Sequence, residues 1–173
     1  LGERWEANEA GLPRLEALVG LSHAGVAVDG IALDVARYCV ALDRECDGLI
    51  DAEGGLVSRN PEELLDVFVL LTWAALILSE GGYDPTDAHL VAQRRIAPNL
   101  RTLRHADGSL ARFHGGGRGL DGKLDGALAA SGVKARNAKG LAMGFARLSA
   151  GRTSVVIDAA PPPANTASVN AHA

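Results

Sequence analysis

Aromatic residues are scarce in this 173-residue sequence. Phe, Trp and Tyr together make up 4%, so a core has to be assembled from Leu, Ala and Val. Cysteine is nearly missing as well. Cys39 and Cys46 lie in one helical-looking stretch, which excludes a disulfide framework and the small secreted scaffolds that depend on one. Both thiols are expected to be buried. No apolar run is long enough to cross a bilayer. The longest, Val67 to Leu78, is interrupted by Thr72 and falls short of the ~20 residues a span requires, so it reads as a buried helix. An initiator methionine, a cationic leader and a cleavable apolar segment are not seen at the start, and the sequence stops just after a strand-like stretch. The expectation is a piece cut from a longer chain, with its export signal unread.

What the chain has is a globular balance: 47% hydrophobic and 22% charged residues, enough for one domain or for one domain and part of a second. Disordered and membrane-spanning classes fit poorly. The net charge of −4 hides an asymmetry. Residues 1–87 carry 17 acids against 5 bases, and residues 88–173 carry 4 acids against 12 bases. A basic half on an acidic protein suits a polyanionic ligand, and a simply solvated basic face gives the same count.

Helical grammar fills the first two-thirds. Leu12 to Val28 places Leu15, Leu18, Val19 and Val26 at helical spacing, with Pro13 in the first turn. Ile31 to Leu49 repeats the pattern through Leu33, Val35, Val40, Leu42 and Leu49. After a loop from Asp51 to Arg59, Asn60-Pro61-Glu62-Glu63 is a strong helix start, in which Asn60 caps and Glu63 reaches back as in a capping box. That helix is expected to run to Glu80 and stop at Gly81-Gly82. Asp84-Pro85-Thr86-Asp87 opens a fourth helix, reaching about Leu103. Asp107-Gly108 then predicts a small hairpin, His114 to Gly119 a glycine-rich loop, and Leu120 to Ala130 a short helix. Strands are expected over Leu141 to Leu148 and Arg152 to Asp158, joined by Ala150-Gly151, with another beginning near Ala167. Helices followed by strands predict two domains, residues 1–138 and an incomplete 139–173. Two or three strands cannot bury a face alone.

Three clusters could carry chemistry. Ser58-Arg59-Asn60 sits at a helix start, where free N–H groups and a guanidinium favour a carboxylate or sulfate; ordinary capping accounts for Asn60 equally well. Arg104-His105 and Arg112-Phe113-His114 to Arg118 combine arginines, histidines and three glycines that let backbone approach a ligand. His114 could exchange a proton near neutral pH, while a plain polar hairpin with a loose loop explains the same residues. Asn170 and His172 close the chain and would not stand out alone. Among the other histidines, His23 reads as packed and His89 as exposed.

At these clusters the sequence resembles the heparinase II/III-like family of polysaccharide lyases, and most of all its alphaproteobacterial branch. Three stretches carry the likeness. They are Glu53 to Leu65, with Gly54-Gly55 and Ser58-Arg59-Asn60-Pro61; Leu103 to Gly115, with His105-Ala106-Asp107-Gly108; and Gly144 to Thr153 joined to Asp158 to Pro163 and Asn170-Ala171-His172-Ala173. The resemblance implies the last hairpins of an (α/α) toroid followed by the first strands of an antiparallel β-sandwich. It also implies β-elimination on a uronic-acid-containing polysaccharide. In that chemistry a cationic or amide group neutralises the uronate carboxylate, a Tyr or His takes the C5 proton, and another group protonates the leaving oxygen.

The basic loop beside a helix start, taken together with the likeness, suggests His114, His105 and Asn170 for catalysis and Ser58, Arg59, Asn60, Arg112 and Arg118 for substrate binding. The likeness suggests His172 as one ligand of a structural zinc whose other ligands lie further along the chain, since a zinc site needs about four ligands. The sequence departs from the family pattern at two places. Pro61-Glu62-Glu63-Leu64 stands where the studied lyases have a Tyr, and Asn170 replaces the first His of a His-x-His-x-Asp motif. The expected partner is an acidic polysaccharide, with no nucleic acid and no membrane span in this segment. The family resemblance points to the periplasm or cell envelope, with the cytoplasm still open. A non-catalytic glycan-binding or envelope protein on the same fold is the alternative, and a helical scaffold for protein partners is a third.

Overall fold

The computed structural model describes residues 4–161. The predicted strand near Ala167, Asn170 and His172 therefore lie outside the described residues. After a 3₁₀ turn at Trp5–Ala7 come α1 (Leu12–Ala27), α2 (Val35–Leu49), α3 (Pro61–Glu80), α4 (Asp87–Leu103) and α5 (Lys123–Ala130). An antiparallel pair follows, β1 (Phe145–Ala150) and β2 (Thr153–Asp158), in the register Phe145↔Asp158 to Ala150↔Thr153. The described chain is thus helices first and strands second, as the sequence predicts.

α3 is the central element. It packs against α1, α4 and α5, and α4 in turn touches α2 and β1. Its Leu64, Val67, Phe68, Leu71 and Ala74 are all fully buried, which is why the segment is apolar on so many sides. Trp73 and Leu76 remain bare, at 56% and 47% exposure. The β-hairpin shares this core. Phe145 is fully buried among helical residues in the same cluster as Leu100 and Leu103, and Ala142 and Met143 join it. On its other face Leu148 and its cross-strand partner Val155 stay exposed.

Several expectations are corrected. α2 starts at Val35 rather than Ile31, because Asp34 accepts from the Arg37 N–H and so caps the helix there. Val40 lies off the inward stripe of Val35, Tyr38, Leu42 and Cys46 and is 52% exposed. Only Cys46 of the two free thiols is buried; burial, with Asp43, Asp47 and Glu45 nearby, pushes it up to about 12, whereas Cys39 is half-exposed. α5 begins at Lys123, after a left-handed Gly122. The first strand begins at Phe145 instead of Leu141: Met143 and Gly144 both take positive φ, and Ala142 and Phe145 exchange N–H···O bonds around that turn.

His89 is not exposed but buried, donating from Nε2 to the Leu71 carbonyl at 2.7 Å. It belongs to a polar seam between α3 and α4 that includes Gln93 and Thr72. Burial holds its pKa below the usual histidine value, an effect partly offset by the Leu71 bond and by Asp43.

Candidate functional site

The first two predicted clusters meet at the N-terminus of α3, and they meet each other. Asn60 Oδ1 accepts from the Glu62 and Glu63 N–H groups at 2.9 and 3.3 Å, and Ser58 Oγ accepts from the Asn60 N–H at 3.3 Å. The expected return bond from Glu63 is replaced by that Ser58 contact. The glycine-rich loop lies over this cap. Gly116 is so close that a Cβ there would stand 2.3 Å from Asn60 Oδ1, and the Gly117 N–H donates to Glu62 Oε2 at 2.6 Å. The carboxylate held by the glycine loop is therefore the protein's own.

Arg59 follows a different course. It is 6% exposed and adopts a φ of 53°, left-handed backbone that a non-glycine residue rarely takes. Its Nε donates to the Met143 carbonyl at 3.1 Å and its Nη1 to the Ala160 and Pro161 carbonyls at 3.4 and 3.2 Å. Nη2 donates to Asp158 Oδ1, and the guanidinium lies 4.7 Å from the Phe145 ring centroid.

His114 reaches the same carboxylate from the other side, with Nε2 at 3.1 Å from Asp158 Oδ2. An ionised Asp158 can only accept, so Nε2 carries a hydrogen, and the other ring nitrogen is Nδ1. That Nδ1 is buried and has no hydrogen-bond partner among the described residues. Phe113 stacks on Phe145 at 4.4 Å between centroids, closing the apolar side.

The three non-glycine residues with positive φ, among those described, are Arg59, His114 and Met143. All three belong to this knot. Strain of this kind costs on the order of 1–3 kcal/mol per residue and persists only where surrounding contacts over-determine it. Asp158 is where they tie together. Burial works against its charge, but the hydrogen bond and charge of Arg59, then the His114 bond, outweigh it and hold the carboxyl below the usual Asp value.

The knot resembles the base-and-orienter half of a catalytic triad, in which a carboxylate fixes a histidine tautomer. Its free nitrogen, however, faces packed protein. Beside it lies a hollow of about 370 Å³ lined by Arg59, Met143, Gly144 and Pro161 together with Asp51 and Glu53. The two carboxylates give that hollow the wrong sign for a sugar acid.

The remaining predicted residues are dispersed. Arg118 is exposed and pairs with Asp121 at 2.7 Å. Arg112 is exposed. His105 sits in the tight hairpin, its backbone N–H donating to the Ser109 carbonyl at 2.7 Å. Among the described residues no group of three or more His, Cys, Asp or Glu could hold a metal ion. Nothing in the sequence singles out Asp158 or Arg147 as a site residue, nor Glu62 beyond its place in a helix start. Arg147 on β1 donates from Nη1 to the Thr102 and Arg104 carbonyls at 2.8 and 2.6 Å, closing the end of α4 with positive charge.

Comparison with known proteins adds two likenesses. Residues 132–173 match the family described as heparinase II/III-like, C-terminal, the stretch that contains the hairpin and Asp158. The chain is also similar to FtsZ-localized protein C of Caulobacter vibrioides (strain NA1000 / CB15N), 30% identical over 133 residues, or 76% of this chain. It spans only 23% of that relative's length. No solved structure matches the chain at a significant level.

Proposed function

We propose that this chain is a segment of a heparinase II/III-like polysaccharide lyase of the alphaproteobacterial branch, acting on an acidic polysaccharide. The helices would be the last hairpins of an (α/α) toroid and the strands the opening of a β-sandwich. The observation that carries the reading is the family match over residues 132–173. It is supported by the seam at Asp158, where the matched segment is tied to the helices by Arg59 and His114.

The chemistry is β-elimination. A base removes the uronate C5 proton, the electron pair forms a C4=C5 double bond, the C4–O bond breaks, and the leaving oxygen is protonated. The physical demand is a cationic site that lowers the C5 proton's pKa by neutralising the neighbouring carboxylate. Incubating the full-length protein to which this segment belongs with several uronate polymers and following ultraviolet absorbance tests it, because the product is a conjugated unsaturated uronate. No absorbance from folded protein on any polymer defeats the lyase reading.

A second reading, acidic-glycan binding without turnover, is favoured by a specific observation: Ser58, Arg59, Asn60 and His114 are all engaged within the protein. On this reading the relative's name suggests that the whole protein is localised with FtsZ. Saturable binding of an acidic glycan with no unsaturated product selects it over lyase activity.

A further inference from the structure

The strongest unassigned feature lies away from Arg59 and His114, along the outer side of α4. Two hollows of about 300 and 390 Å³ share Arg94 and Arg136 and so form one furrow between α4 and the segment 131–139. Lys134 lines the first hollow, and Arg95 and Lys139 line the second. These five cations are all exposed, and none pairs with an acid among the described residues. Among the described residues Glu53 is the one acid lining either hollow, at the end that adjoins the hollow beside Arg59.

The far wall is held in place. Arg101 Nη2 donates to the Val133 carbonyl at 3.0 Å, and the Ala138 N–H donates to Thr102 Oγ1 at 2.9 Å. Like charges gathered without partners repel one another, and an anion laid between them relieves that repulsion. A furrow fixed from both sides loses little further freedom when it is filled.

We infer that this furrow binds an acidic polysaccharide chain, its carboxylates or sulfates set against Arg94, Arg95, Lys134, Arg136 and Lys139. The inference rests on the acidic-polysaccharide reading above and gives it a location other than the Arg59–His114 knot. Single-stranded nucleic acid is the competing polyanion and fits less well. Among the described residues no aromatic side chain lines either hollow to stack a base.

The test is calorimetric titration of the full chain with an oligogalacturonate and with a heparin-type sulfated oligosaccharide. A neutral oligosaccharide and an oligothymidylate serve as comparisons. The double variant Arg94→Ala/Arg136→Ala should weaken acidic-saccharide binding roughly tenfold or more, as expected for losing two charge-assisted contacts. Its circular dichroism and melting should be unchanged, since both side chains are exposed. Arg152→Ala, in the exposed turn between β1 and β2, should bind like the parent. Undiminished binding by the double variant overturns the furrow and leaves the polysaccharide reading intact. A parent that binds neither acidic saccharide overturns both. Tighter binding of the oligothymidylate, lost in the double variant, hands the furrow to nucleic acid.

Discussion

Arg59 reaches across 99 positions of sequence to Asp158, and the pair fastens the start of α3 to the end of β2. His114 takes the other oxygen of the same carboxylate. Replacing Asp158 with Asn keeps the shape and removes the charge. Arg59 then retains three carbonyl partners, and about a third of the Asp158 side chain meets water, which screens the loss. The expected destabilisation is about 1–2 kcal/mol by urea unfolding, below the usual cost of breaking a fully buried pair. A double-mutant cycle with Arg59→Met should show coupling between the two sites; strict additivity would mean that the ion pair does nothing for stability.

Two acid-sensitive windows are expected. The folded pKa of His89 lies below its ordinary value of 6.5, so the unfolded chain takes up a proton that the folded chain refuses. Stability should therefore fall as the pH drops below about 6.5. His89→Gln should flatten that slope while leaving the second window. Asp158 is depressed below 3.8, so its contribution is complete above that value and is lost as pH falls through the lower folded value. The difference between parent and Asp158→Asn should accordingly shrink only in strong acid. Unfolding curves for both variants across the pH range decide the matter.

Glycine substitutions should separate strain from collision. Gly151, in the hairpin turn, has a φ of 56° and only open space where a Cβ would stand, so Gly151→Ala should cost about 1–2 kcal/mol from backbone alone. Gly54 has a φ of 83°, and a Cβ there would stand 2.2 Å from the Arg95 carbonyl oxygen. Gly54→Ala should be the more damaging by a clear margin in thermal melts. Equal melting shifts would contradict the close approach of that loop to α4.

Arg147→Met should loosen the contact between β1 and α4. It leaves the Thr102 and Arg104 carbonyls without their donor, at a cost of about 1–2 kcal/mol. Hydrogen exchange should speed up at the last turn of α4 before it does at α1. Uniform acceleration would place the role of Arg147 elsewhere.

Much of the helical layer is legible in the sequence because its signals are local. Asn60 with Pro61 marks the start of α3, and the apolar run from Val67 to Leu78 marks its burial. The strands are legible to within a few residues, their start displaced by the positive φ of Met143 and Gly144, which no pattern of apolar residues encodes. The burial of His89 is not legible because its partner is a backbone carbonyl on another helix. At the candidate site, Arg59 and His114 stand out by type, yet the residue that joins them, Asp158, does not. Its importance comes from partners 99 and 44 positions away, a separation at which a single sequence carries no pattern. The furrow is legible only as an excess of bases after residue 87.

The span between Arg59 and Asp158 also sets an order in time. Helix pairs such as α1 with α2 can form from nearby stretches of chain, but the latch at Asp158 closes only when the hairpin has docked. Weakening it should quicken escape from the native state and leave the speed of arrival nearly untouched. The seam between helices and strands is then the last part to set and the first to give way.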